Sequence, residues 1–114
     1  MPDRRRALGA DGEDRAAAWY EANGYTVVER NWRCRDGELD LVVRRGRELV
    51  FVEVKTRTSD RFGLPAEAVT ATKQRRIRKL AGRYLADTGT TAGDLRFDVV
   101  AILGGQLEVI EAAF

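Results

Sequence analysis

The stretch Gly37–Arg57, GELDLVVRRGRELVFVEVKTR, constrains the fold of this chain more than any other. Side chains in a strand repeat every two residues, so alternate positions share a face. Leu39, Leu41 and Val43 alternate with Glu38, Asp40 and Val42; Val50, Val52 and Val54 alternate with Phe51, Glu53 and Lys55. Both faces are mostly apolar in the middle, the pattern of strands covered on both sides. Between the two runs, Gly46-Arg47 suits a two-residue type II′ loop with glycine first.

That loop fixes a register. Arg45 is expected to face Glu48, Val42 to face Phe51, Asp40 to face Glu53, and Glu38 to face Lys55. Three carboxylates and a lysine then share one face at the end of the hairpin away from the turn. Opposed side chains lie roughly 5 Å apart at Cβ, where like charges repel. Burying unpaired carboxylates costs on the order of several kcal/mol. Protonation of one acid, neutralisation by Lys55, or a divalent cation between the acids would each relieve that cost. Oxygen-only ligands in a chain without histidine favour Mg²⁺ or Mn²⁺. The plainer reading is a salt-bridged patch, since Glu-x-Lys is common by chance. Here the tripeptide ends an apolar strand with a second acid opposite, which favours a site.

Composition narrows the chemistry. With 114 residues the chain suits one domain, 1–114, with one core. No apolar run reaches the length of a membrane span. The N-terminus has no apolar segment after its arginines, so no secretory signal is read there, and residues 1–9 are expected as a basic tail. The single cysteine, Cys34, fits a reducing, cytoplasmic setting and a packing role. Without histidine there is no Ser-His-Asp or Cys-His catalysis and no Cys/His zinc site. Catalysis would run on carboxylates, lysine, hydroxyls and a borrowed metal.

The net charge of +2 is unevenly spread. From Ala68 to Ala86 there is no acid, while Lys73, Arg75, Arg76, Arg78, Lys79 and Arg83 are basic. Such a run is more than an ordinary solvated face of mixed sign, and it suits a phosphate backbone. Ile77, Leu80, Ala81, Tyr84 and Leu85 place the run on a helix from about Thr70 to Thr88, with Gly89 just past its end.

Elsewhere, a first helix is expected from Asp11 or Gly12 to Asn23-Gly24, with Asp11 as N-cap and Asp14 in a capping box. Ala16, Ala17 and Tyr20 form its inward stripe, and Glu13 falls on that stripe one turn earlier. Spacing leaves Glu13 open between a first-turn acid favoured by the helix dipole and a carboxylate aimed at the sheet end. Tyr25–Arg30 reads as a strand, Asn31–Asp36 as a polar connection carrying a packing Trp32, and Thr56–Pro65 as a loop leaving the site end. Leu95–Leu103 and Leu107–Ile110 read as strands joined by Gly104-Gly105. Asp98 is read as pairing with Arg96, supporting the site, or capped by a helix N-terminus, with no choice among the three. The order helix, three strands, helix, two strands predicts an α/β sandwich around a mixed sheet.

Taken in order, GELDLV, FVEVKTR, KQRRI and RFDVV resemble the small bacterial YraN-like family. That family is regarded as related to archaeal Holliday junction resolvases within the PD-(D/E)xK, restriction-endonuclease-like superfamily. The resemblance covers roughly residues 9–103. It implies a restriction-endonuclease-like sandwich. It also implies a catalytic site in which Asp40 is the motif aspartate, Glu53 and Lys55 are the (D/E)xK pair, and Glu13 is the first-helix glutamate. Leu39 stands where the motif has proline. On this reading Asp40, Glu53, Glu13 and the Val54 carbonyl hold Mg²⁺ or Mn²⁺. Lys55 helps position and deprotonate a water that attacks a DNA phosphodiester, in branched or otherwise structured DNA. Arg57, Arg61, Lys73, Arg75, Arg76 and Lys79 are the expected contacts to the DNA backbone, and a homodimer is compatible with this reading. Its rivals are a non-catalytic nucleic-acid-binding module and a protein-interaction or assembly factor.

Overall fold

The computed structural model describes the backbone of residues 4–57 and 69–114, and the side chains of these from Asp11 onward. The elements run α1 (Arg4–Ala22), β1 (Thr26–Cys34), β2 (Gly37–Arg45), β3 (Glu48–Arg57), α2 (Ala71–Thr88), β4 (Asp94–Leu103) and β5 (Gln106–Ile110). The five strands form one sheet in the order β1-β2-β3-β4-β5. The β3–β4 pair is parallel and the other three are antiparallel, so the sheet is mixed. This is the predicted α/β sandwich, and it is consistent with a restriction-endonuclease-like fold. Among the described residues no helix is long and apolar enough to cross a membrane.

Alternation divides the core in two. Leu49, Phe51, Phe97 and Val99 pack on one face against Ile77, Leu80, Ala81 and Tyr84 of α2. Val50, Val52, Val100 and Ile102 pack on the other against Ala16, Ala17 and Tyr20 of α1. The helices therefore cover opposite faces, and β3, flanked by β2 and β4, is buried between them. Burying each such valine, leucine, isoleucine or phenylalanine side chain contributes about 1.5–3 kcal/mol. The Gly46-Arg47 turn has φ 61° at the glycine and no positive φ at the arginine, as a type II′ loop requires. Thr70 caps α2 through its side chain, and Gly89 ends it in the left-handed region at φ 68°.

Three boundaries differ from expectation. Helix α1 begins at Arg4, so residues 4–9 belong to it and Asp11 is not its N-cap. The run RRRAL is made of good helix formers, which carry the helix through Gly9 and Gly12. Strand β1 continues through Asn31–Cys34, the segment read as a connection, and Trp32 packs edge-to-face on Tyr84 at 5.4 Å. Cys34 also packs, partly buried, on the α2 side. Thr56 and Arg57 extend β3, pairing in parallel with Ile102 and Leu103. The rest of the expected loop, from Thr58 to Pro65, lies outside the described residues.

Asp98 is fully buried, and its partners resolve the three readings. Arg96 grips it with Nε at 2.9 Å and Nη2 at 2.9 Å. The Tyr20 hydroxyl donates to it at 2.7 Å and the Ala112 N–H at 2.9 Å. Burial and then Asp98 push the Tyr20 hydroxyl well above its ordinary range, keeping it a donor. Arg96 also reaches Glu48 and the Tyr25 hydroxyl. A buried ion pair with every lone pair used holds α1 to β4 and to the C-terminal turn.

Candidate metal and phosphate site

The β2–β3 ladder follows the expected register from Arg45↔Glu48 to Leu41↔Val52 and stops there. Beyond it the Val54 N–H donates to the Asp40 carboxylate, at 2.9 Å from Oδ2. Asp40 thus sits at the point where the two strands stop pairing. Its neighbours show that the alternation also breaks here. Leu41 and Val43 face α1 and Val42 faces α2, which by alternation would turn Leu39 toward α1. Leu39 packs on the α2 side instead.

The break corrects the picture of all four groups on one face. In β3 alternation is intact, so Glu53 and Lys55 follow Phe51 toward α2. In β2, Glu38 is turned the opposite way from Leu39, and its carboxylate meets that of Glu13 on α1. Carboxylate oxygens of Glu13, Glu38 and Asp40 all lie within 4.8 Å of one another. Glu38 and Lys55 are not ladder partners, and neither are Asp40 and Glu53. The acids instead wrap around the sheet end: Glu38 meets Glu13 on the α1 side and also borders the cleft that holds Glu53 and Lys55 on the α2 side, with Asp40 between them.

The electrostatics follow from that placement. Burial, then the Glu53 charge, pushes Asp40 up to about 7, against the hydrogen bond from Val54 and the charge of Lys55. Burial raises Glu13 as well, opposed by the nearby Asn31 side chain and reinforced by Glu38. Glu53 is held by Lys55, with Nζ 3.1 Å from Oε1, and the two side chains are only 17% and 19% exposed. Three converging carboxylates from two elements, mutually repulsive and partly desolvated, match the donor set of a hard divalent cation. Glu13, Glu38 and Asp40 are therefore able to bind a metal ion. Glu38 is absent from the expected ligand set, although the expected register puts it at the right end of the hairpin. The face switch that brings it to Glu13 leaves no mark in the alternation.

Gly12 sets the position of Glu13. A Cβ built there would lie 2.4 Å from Thr56 Oγ1 and 3.4 Å from Ile102 Cδ1, so α1 crosses β3 and β4 at a point where only glycine fits. In an ordinary helix Gly→Ala stabilises by about 1 kcal/mol. Gly12→Ala is expected to destabilise by about 1–3 kcal/mol, the cost of overpacking. A denaturant melt compared with Gly82→Ala, where a Cβ meets open space, checks this.

The basic residues of α2 separate by direction. Lys73 and Arg76 line a cleft of about 200 Å³ together with Glu38, Glu53 and Lys55, over a floor that includes Ile77 and Leu80. Arg75 and Lys79 are exposed, Arg75 contacting Thr72. Arg78 lies over the Phe97 and Phe114 rings at 4.7 and 5.6 Å. Arg83 pairs with Asp87 and Asp36. Arg57 is half-buried at the end of β3, and Arg61 lies outside the described residues. So the structure brings Lys73 and Arg76 to the acids and leaves Arg75 and Lys79 on the outer surface.

Comparison with known proteins gives a consistent family. The description "Uncharacterised protein family UPF0102" matches residues 12–102. A UPF0102 protein of Beutenbergia cavernae is 61% identical over 97 residues, 85% of this chain and 82% of that protein. One from Rhodococcus jostii is 53% identical over 113 residues, 95% of this chain and 96% of its own. One from Symbiobacterium thermophilum is 51% identical over 100 residues, 88% and 85% of the two chains. The matched span includes Glu13, Glu38, Asp40, Glu53, Lys55 and the basic face of α2, and the chain belongs to the UPF0102 family, the YraN-like family that its motifs resemble.

Proposed function

We propose that this protein is a metal-dependent endonuclease that hydrolyses phosphodiester bonds in DNA, with branched or otherwise structured DNA as the preferred class. The observation that carries the reading is the position of Asp40 between two groups of opposite use. Glu13 and Glu38 converge on it from the α1 side, and Glu38 also borders the cleft that holds Glu53, Lys55 and the bases Lys73 and Arg76 on the α2 side. Arg33 pairs with Glu38 and Lys55 with Glu53, whereas Asp40 has no basic side chain bonded to it among the described residues and is driven up to about 7.

Asp40, Glu13 and Glu38 would hold Mg²⁺ or Mn²⁺. Glu53, the carboxylate whose charge acts most on Asp40, and the Val54 carbonyl are the further candidate ligands. Such an ion would supply Lewis acidity at the phosphate and make a nearby water easier to deprotonate. Glu53 holds the Lys55 ammonium in the cleft, where Nζ orients the attacking water and offsets charge developing on the phosphate. Lys73 and Arg76 bind the phosphate backbone beside the reacting group, and Arg75, Lys79, Arg57 and Arg61 extend that contact without reading bases.

The test is a cleavage assay with Mg²⁺ and with Mn²⁺ on duplex, flap, single-stranded and four-way-junction DNA, beside Glu53→Ala. Cleavage of at least one substrate by the native protein, lost in Glu53→Ala, is expected. No cleavage of any substrate, or equal cleavage by both proteins, would reject the reading.

A further inference from the structure

Asn31 stands in the middle of β1 with φ 53°, in the left-handed region, where a strand residue does not belong. Asparagine is among the few non-glycine residues that visit this region readily. The β1–β2 ladder pairs Arg30 with Leu41 and Trp32 with Leu39, and it omits the Asn31–Asp40 pair between them. Both strands change faces at this omitted pair. Arg30 bonds Asp14 on α1, yet Trp32, two residues on, packs with Tyr84 on α2. In β2 the same switch falls between Leu39 and Leu41.

The switch has a direct result for the acids. With unbroken alternation from Leu41, Glu38 would point to the α2 side, and Glu13 on α1 would stand apart from it. With the switch, Glu38 reaches Glu13 and Asp40. The Asn31 side chain also lies near enough to Glu13 to hold its carboxyl down against burial. One residue thus acts twice on the same cluster, through its backbone on Glu38 and through its amide on Glu13.

We propose that Asn31 is a positioning residue of the metal site: its left-handed backbone sets the face switch that delivers Glu38 to Glu13, and its side-chain amide fixes the Glu13 carboxylate. This rests on reading the acid cluster as a metal site. Partners that orient ligating carboxylates are worth about 10–100-fold in metal affinity. Asn31→Gly keeps the left-handed backbone and removes the amide. Asn31→Val is β-branched, excludes positive φ, and drives Asn31 and Asp40 back toward ladder pairing.

Two measurements on the full chain, both without DNA, separate these parts. Calorimetric titration with Mn²⁺ is expected to show roughly tenfold weaker binding in Asn31→Gly and roughly a hundredfold or more in Asn31→Val. In the metal-free protein, proton NMR is expected to show side-chain contacts between Glu13 and Glu38 in the native chain and in Asn31→Gly. Asn31→Val is expected to lose them and to gain a cross-strand contact between positions 31 and 40. If Asn31→Val does not fold, Asn31→Ala, which disfavours positive φ less severely, makes the same comparison. Affinity in Asn31→Gly within twofold of native overturns the amide's role. Persistence of the Glu13–Glu38 contacts in the valine or alanine variant overturns the backbone's role. Absence of Mn²⁺ binding by the native chain rejects the metal reading and with it the role of the amide, while the NMR comparison still decides the face switch.

Discussion

Asp40→Asn is expected to melt higher than the native protein above pH 7 in the presence of a chelator, and to lose most of the stabilisation that Mn²⁺ confers on the native chain. Burial and then Glu53 raise Asp40 from its ordinary 3.8 to about 7. The folded state therefore keeps its proton where the unfolded chain has lost it. Stability falls as pH rises from about 3.8 to about 7, and the full cost is present above that range. At about 1.4 kcal/mol for each pH unit, that cost is on the order of 4 kcal/mol. Asparagine removes the charge, and its carbonyl oxygen can still accept from the Val54 N–H. The weaker neutral hydrogen bond takes back about 1 kcal/mol, leaving a gain of a few kcal/mol, or roughly 10 °C for a domain of this size. Below about pH 4 the two proteins should melt together. A bound cation offsets the same repulsion and adds stability by linkage, so Mn²⁺ should raise the native melting temperature and leave Asp40→Asn nearly unchanged. Thermal scans from pH 4 to 9, with chelator and then with Mn²⁺, test both halves. A lower melting temperature for Asp40→Asn at pH 8 would make Asp40 a structural acceptor rather than a ligand whose charge costs stability.

What the sequence discloses depends on whether a local pattern or a long-range contact sets the feature. The β2–β3 register is legible because Gly46-Arg47 and the flanking alternation both specify it. Helix α2 is legible from the spacing of Ile77, Leu80, Ala81 and Tyr84 and from Gly89. The start of α1 is not, because Asp11 reads as an N-cap and the residues before it as a basic tail, and the close approach of Gly12 to Thr56 is a tertiary fact. The division of the acids across the sheet is hidden for a related reason. Alternation is a rule about unbroken strands, and one left-handed residue at Asn31 reverses its phase for everything beyond. A polar Asn beside a Trp reads as a connection, so a segment that lies in the sheet reads as the end of it. Asp98 is visible as an anomaly in an apolar strand, but its partner Tyr20 lies 78 residues away.

Lys55→Arg is expected to fold and to bind DNA within a few-fold of the native protein while losing cleavage by roughly 10²–10⁴-fold, the usual worth of a positioned proton-transfer group. Lys55 is only 19% exposed, and its ammonium lies 3.1 Å from Glu53 Oε1 on the wall of the cleft. If the lysine serves only to neutralise Glu53, any fixed positive charge suffices, and arginine supplies one that pairs well with carboxylates. If it presents a compact amine to the attacking water or the phosphate, arginine fails, because its guanidinium is planar, bulkier and differently hydrated. Lys55→Ala separates the two roles from the other direction. It should also lose cleavage, and it should lose stability as well, since Glu53 is then left partly buried beside Asp40 without its ion-pair partner. Melting curves, DNA affinity and single-turnover cleavage, measured on one substrate for all three proteins, give the comparison. Native-rate cleavage by Lys55→Arg would assign Lys55 to charge balance and leave the chemistry to the carboxylates and their metal.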